Sequence, residues 1–147
     1  MVLFMALKLQ KPTAAFVIVS WGCFILGVGT YLLGLWNSTM ELNEKGYYFS
    51  LLLFSLFSAI SLQKNVRDNQ EGIKVTSMYM MSSRIALISA IVLFFIGLKN
   101  AELLLSEKGF FAMAFVLSLF AIVTIQKNIR DIAIFSEDDV CIDNQPE

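Results

Sequence analysis

The chain has 147 residues, 57% of them apolar and 16% charged, with 11 basic against 12 acidic side chains and no histidine. Soluble domains run about 45–50% apolar and about 25% charged, so this composition, with a mean hydropathy of +0.70, is that of a membrane protein. The near-neutral charge gives no basic surplus for nucleic acid. The lack of histidine, with cysteines only at 23 and 141, excludes a zinc site, a Ser/His/Asp triad and a Cys/His pair.

In chain order, Pro12 suits the first turn of a first helix, and the stretch from Thr13 to Trp36 carries no charge at all. That run is long enough for about 30 Å of hydrocarbon. Gly22-Cys23 has the form of a lipoprotein cleavage site, but Ser20 and Trp21 fit poorly before it and the apolar run continues past it. Cys23 in this run and Cys141 near the end are too far apart in character and position to form an intramolecular disulfide.

After a tight connection from Asn37 to Gly46, the apolar run from Tyr47 to Leu62 is shorter, only about 24 Å as a helix. Lys45 and Lys64 flank it and can snorkel, so the helix is expected to run on into its polar flanks. Gln63 to Val75 is a linker with Gly72 as its one strong breaker. Thr76 to Leu98 is again long enough to span, with a single charge, Arg84. Asn100 to Gly109 is a second tight connection, and Phe110 to Ile125 a second short run, between Lys108 and Lys127. Ser136 to Glu147 holds five acids, no base and Pro146, which predicts a disordered tail.

The second half repeats the first. Gln63-Lys64-Asn65-Val66-Arg67-Asp68 returns as Gln126-Lys127-Asn128-Ile129-Arg130-Asp131, Glu44-Lys45-Gly46 as Glu107-Lys108-Gly109, and Gly34-Leu35 as Gly97-Leu98, all at one constant offset. Between Gly34 and Asp68, 15 of 35 positions are identical to the later segment. This is a tandem duplication. The predicted fold is an all-α membrane protein whose four transmembrane helices form two tandem antiparallel hairpins. An even number of spans separates the copies, so they insert the same way up, as a parallel repeat about a pseudo-two-fold along the membrane normal. The expected division is a first two-helix repeat at 12–68, a linker at 69–75, a second repeat at 76–131 and an acidic tail at 132–147.

Orientation follows from basic residues in short loops. The side with both termini and the linker holds Lys8, Lys11, Lys64, Arg67, Lys74, Lys127 and Arg130 with Arg84 nearby, eight in all against Lys45, Lys99 and Lys108. Both termini are therefore expected in the cytoplasm. Trp36, Tyr47-Tyr48 and Phe110-Phe111 then fall at the outer interface, where aromatic rings are favoured.

The candidate site is the pair of hexapeptides: Gln63, Lys64, Asn65, Arg67 and Asp68 with Gln126, Lys127, Asn128, Arg130 and Asp131. As stop-transfer flanks their cations are fully explained. Asp68 and Asp131 are not, because an acid near a helix C-terminus is unfavourable unless paired. The alternative is that the copies meet across the pseudo-two-fold, Arg67 with Asp131 and Arg130 with Asp68, or dock a partner. Asn65 and Asn128 are expected at equivalent places on the cytoplasmic rim. Arg84, the one ionisable residue within a span, is a candidate lipid contact; snorkelling also explains it, and its counterpart is the interfacial Trp21. The Glu-Lys-Gly elements are accounted for by the helix dipole and a turn. Small residues at helical spacing, such as Cys23 and Gly27, Thr30 and Gly34, Ser82, Ala86 and Ala90, Ser55 and Ala59, and Ala114 and Ser118, read as helix-packing stripes.

The run Tyr31 to Asn37, the run Leu42 to Phe49, the two hexapeptides and the run Leu105 to Phe110 together resemble the bacterial YiaA/YiaB inner-membrane family, and the likeness extends over about residues 12 to 133. The resemblance implies a multi-pass protein of the bacterial inner membrane and brings no catalytic or binding residues with it. The resulting expectation is a non-enzymatic structural or interaction protein, without metal or cofactor. Its partners are the lipid bilayer and either a second copy or another membrane protein, not nucleic acid. The alternative is a small oligomeric transporter or channel. Against it, no apolar run contains Asp, Glu or His, and no proline breaks one.

Overall fold

The computed structural model describes residues 11–143, with side chains as far as residue 137. Residues 1–10, with Lys8, and residues 144–147 of the acidic tail lie outside the described residues. Four helices make up the described chain: α1 Ala14–Asn37, α2 Leu42–Gln70, α3 Ser77–Asn100 and α4 Leu105–Asp143. All four are long and apolar enough to cross a bilayer.

Local chemistry sets their ends. Thr13 caps α1, its hydroxyl oxygen accepting from the Phe16 amide at 3.3 Å, so Pro12 precedes the cap instead of opening the helix. Glu44 folds back to accept from the Glu41 amide at 3.1 Å, and Glu107 does the same for Leu104 at 3.0 Å. Each satisfies a backbone donor left over at a helix start. α2 stops at Gly72, whose φ of 79° is open to glycine without strain. There the Ile73 amide bonds to the Asp68 carbonyl and the Gly72 amide to that of Asn69, a Schellman closure.

α2 has 29 residues and α4 has 39, about 43 Å and 58 Å at 1.5 Å per residue. Both exceed the short apolar runs inside them, as their lysine flanks led one to expect. The tail departs from expectation. α4 continues through Ser136 to Asp143, because Ile132 to Phe135 offer no glycine or proline to end it and a helix already nucleated extends at little cost. Gly46 and Gly109 likewise lie inside α2 and α4, one turn past their starts at Leu42 and Leu105, not in turns.

The short connections make consecutive helices antiparallel, and the two hairpins interlock. α1 packs chiefly on α4 and α3 chiefly on α2, while α2 and α4 meet at the centre; the two helices of one hairpin touch little, and the backbones of α1 and α3 not at all. Each outer helix thus finds its main partner in the other repeat, the arrangement a pseudo-two-fold between α2 and α4 generates. α1 and α4 bring backbone close to backbone at Gly27, where an added Cβ would lie 2.8 Å from Ser118 Oγ and 3.0 Å from its backbone nitrogen. Among the stripes of small residues, these make contacts between helices, as packing in lipid requires.

Tyr31, Phe94 and Phe115 fill the centre with no exposed surface. Phe94 and Phe115 stack with ring centroids 3.9 Å apart, and the Tyr31 hydroxyl donates to the Tyr48 carbonyl at 3.0 Å, the polar handle a buried tyrosine needs. Tyr31 and Phe94 are repeat mates, so that hydrogen bond breaks the symmetry. Ile18, Leu33, Phe57, Met113 and Phe120 face outward and exposed, suited to hydrocarbon and not to water.

Candidate functional site

The hexapeptides sit within α2 and α4, and their helical spacing divides each into two faces. Gln63, Lys64 and Arg67 turn toward Gln126, Lys127 and Arg130, and the six line one narrow cleft between the two central helices, with about 20 Å³ of space. Asn65 and Asn128 turn the other way and are buried, at 2% and 3% exposure.

Buried amides need partners, and both find a serine on the flanking helix of the other repeat. Asn65 Nδ2 donates to Ser83 Oγ at 2.7 Å, and Asn128 Nδ2 donates to Ser20 Oγ at 3.2 Å. Each serine hydroxyl passes its own proton to a carbonyl one turn back, Ser83 to Tyr79 at 3.0 Å and Ser20 to Phe16 at 2.7 Å. The asparagines are therefore inter-repeat contacts facing away from each other, not neighbours on an open rim. Ser20 and Ser83 were missed in the sequence, although they are repeat mates at the same offset as the hexapeptides and are isolated polar residues in apolar runs.

The acids resolve locally. Arg67 Nη2 lies 3.4 Å from Asp68 Oδ1, and Arg130 Nη2 lies 3.2 Å from Asp131 Oδ1. Among the described residues these are the ion pairs; Arg67 with Asp131, Arg130 with Asp68, and the i,i+4 pairs from Lys64 and Lys127 do not form. Adjacent residues in one hexapeptide need no helix movement to meet, whereas the cross pairs would have to span the cleft. Arg67 Nε is buried without an acceptor. Arg84 is exposed on α3, away from this cleft.

At the opposite end the Glu-Lys-Gly elements join the helices. While Glu44 and Glu107 cap α2 and α4, Lys45 Nζ donates to the Trp36 carbonyl at 3.1 Å and Lys108 Nζ to that of Lys99 at 2.9 Å. Each lysine closes the C-terminus of the preceding helix, where a cation is favoured. A cleft of about 270 Å³ beside them is lined by residues that include Glu44, Tyr47, Tyr48 and Asn100. No group of three metal-ligating side chains occurs among the described residues.

Four apolar helices arranged as two interlocked copies of one helical hairpin define a multi-pass membrane protein built from a duplicated two-helix unit. Residues 16–68 and 79–131 each match the yiaA/B two helix domain, and the chain belongs to that family. It is 56% identical over 127 residues to the inner membrane protein YiaA of Escherichia coli (strain K12), covering 86% of this chain and 88% of that protein. It is 40% identical over 63 residues to the uncharacterized membrane protein YubF of Bacillus subtilis (strain 168), covering 42% of this chain and 72% of that one. No solved structure matches the chain significantly.

Proposed function

We propose that the protein is a non-enzymatic interaction protein of the bacterial cytoplasmic membrane, with both termini and the 69–75 linker in the cytoplasm. The hexapeptides are the surface it presents there. In this reading the repeats at 12–68 and 76–131 form the membrane body, and residues 132–147 extend from it. The observation that carries it is the convergence of both hexapeptides on one cleft, which gathers four cations at one end of the bundle. The name of the Escherichia coli relative supports the location, and the eight-to-three basic asymmetry supports the orientation.

The aromatic centre argues against a conduit through a single chain, since Phe94 and Phe115 stack where a pore would run. The test is copurification from native membranes. A chain carrying Lys64→Gln, Arg67→Gln, Lys127→Gln and Arg130→Gln should lose proteins that accompany the natural chain while keeping its helical content and membrane insertion. An unchanged set of companions would remove the hexapeptides from the role.

A further inference from the structure

Four cations, Lys64, Arg67, Lys127 and Arg130, line one cleft between α2 and α4. Asp68 and Asp131 offset the two arginines, and among the described residues neither lysine has an acidic partner. Like charges gathered in one place repel. An anion rich in oxygen acceptors offsets that repulsion.

We propose that this cleft binds a ligand carrying two phosphate groups, one held by Lys64 and Arg67 and the other by Lys127 and Arg130. Phosphate is the anion for which an ammonium and a guanidinium are joint recognition groups. The pseudo-two-fold supplies the number: each half of the chain contributes the same lysine and arginine at matching positions, so a ligand that satisfies one half-site leaves an equivalent one beside it. With about 20 Å³ of space, the cleft itself admits about one water molecule. The phosphates therefore seat at its mouth, on the exposed lysine ends. Two sources share this chemistry, the headgroup of a two-phosphate phospholipid and a free diphosphate. Basic clefts between transmembrane helices at the cytoplasmic interface suit the first. The proposal rests on the reading of the hexapeptides as the presented surface and deepens it.

The full chain in nanodiscs containing phosphatidylcholine, phosphatidylglycerol and diphosphatidylglycerol is analysed by native mass spectrometry for retained lipid. The detergent-solubilised chain is titrated with inorganic pyrophosphate by calorimetry. Lys64→Gln with Lys127→Gln is compared with Lys11→Gln with Lys74→Gln, which removes two exposed lysines from the same side but outside the cleft. The natural chain is expected to retain diphosphatidylglycerol over the other two lipids. Each cleft lysine should contribute about fivefold, so the cleft pair should lose about 25-fold and the control pair little. Pyrophosphate binding that is lost in the cleft pair, without lipid selectivity, would make the free diphosphate the source. Selectivity for neither ligand, or equal losses in the cleft and control pairs, would overturn the proposal. Lipid retention is read independently of protein companions, so lost companions with no two-phosphate ligand would leave the interaction surface standing and remove only this site.

Discussion

Asn65 on α2 donates a hydrogen bond of 2.7 Å to Ser83 on α3, and Asn128 on α4 repeats the relation with Ser20 on α1 at 3.2 Å. Both bonds join the second helix of one repeat to the first helix of the other. They therefore act on the interlocked pairing itself, fixing the register at which α2 slides on α3 and α4 on α1. In a bilayer no nonspecific hydrophobic force selects that register, and side-chain hydrogen bonds between helices are one of the few directional terms left.

Ser83→Ala should cost about 1–3 kcal/mol by leaving the Asn65 amide buried without its acceptor. Adding Asn65→Leu should recover most of that loss, because removing both partners is close to neutral when shape is kept. Unfolding in mixed micelles with rising SDS reads the difference. A Ser83→Ala chain as resistant as the natural one would show that the bond contributes nothing. In a background lacking Cys23 and Cys141, cysteines at 65 and 83 should crosslink within one chain, whereas cysteines at 65 and 128 should not.

Hydropathy alone carried the four spans, because long charge-free runs have few alternatives to a membrane helix. The offset between copies likewise carried the symmetry. Neither shows which helix an apolar face meets, since every face of Thr13 to Trp36 is apolar enough for lipid or protein. Hydropathy therefore does not single out Ser20 and Ser83, and symmetry alone places Asn65 and Asn128 on the cytoplasmic rim without showing that they turn inward to those serines. The cross-repeat ion pairs failed for a related reason: symmetry makes Arg67 and Asp131 eligible partners, but Asp68 is closer at hand. The composition of the acidic tail reports solvation and not the ease with which a helix already formed continues to Asp143.

Gly27 should be among the least replaceable residues of α1. An added methyl would press within 2.8 Å of Ser118 Oγ and 3.0 Å of its backbone nitrogen, and overpacking of this kind costs about 1–3 kcal/mol. Gly29 has nothing within 4 Å of an added Cβ, so Gly29→Ala should be neutral or stabilising by about 0.5–1 kcal/mol. SDS unfolding of Gly27→Ala and Gly29→Ala side by side checks this. Equal resistance in the two variants would mean that α1 and α4 do not approach so closely.

Arg84 lies exposed on the outer surface of α3, where its head can reach the interface. Arg84→Lys should be silent, and Arg84→Leu should leave membrane yield nearly unchanged. Loss of folded protein in Arg84→Lys would point instead to a bidentate partner that lysine cannot reproduce.

Orientation is open to direct measurement. A reporter active only in the cytoplasm should work when fused after Lys74 and fail when fused after Ser38, as the eight-to-three distribution of basic residues predicts. The reverse pattern would place the hexapeptides outside.

Charge reversal at Arg67 separates a local ion pair from one across the repeats. Arg67 lies 3.4 Å from Asp68, and the two side chains keep 33% and 17% of their surface exposed, so solvent screens the attraction and the pair is worth about 0–1 kcal/mol. Arg67→Asp should therefore destabilise the bundle only slightly, chiefly by setting two carboxylates side by side. Rescue should come from Asp68→Arg, which restores the neighbouring pair in reversed order. Asp131→Arg should not rescue, because Asp131 is already held by Arg130 at 3.2 Å and its replacement would also strip Arg130 of its partner. The three chains are compared by SDS unfolding at low and at high salt, where a surface pair weakens. Rescue by Asp131→Arg and not by Asp68→Arg would mean that the repeats exchange charges across the cleft, leaving each arginine unpaired within its own hexapeptide.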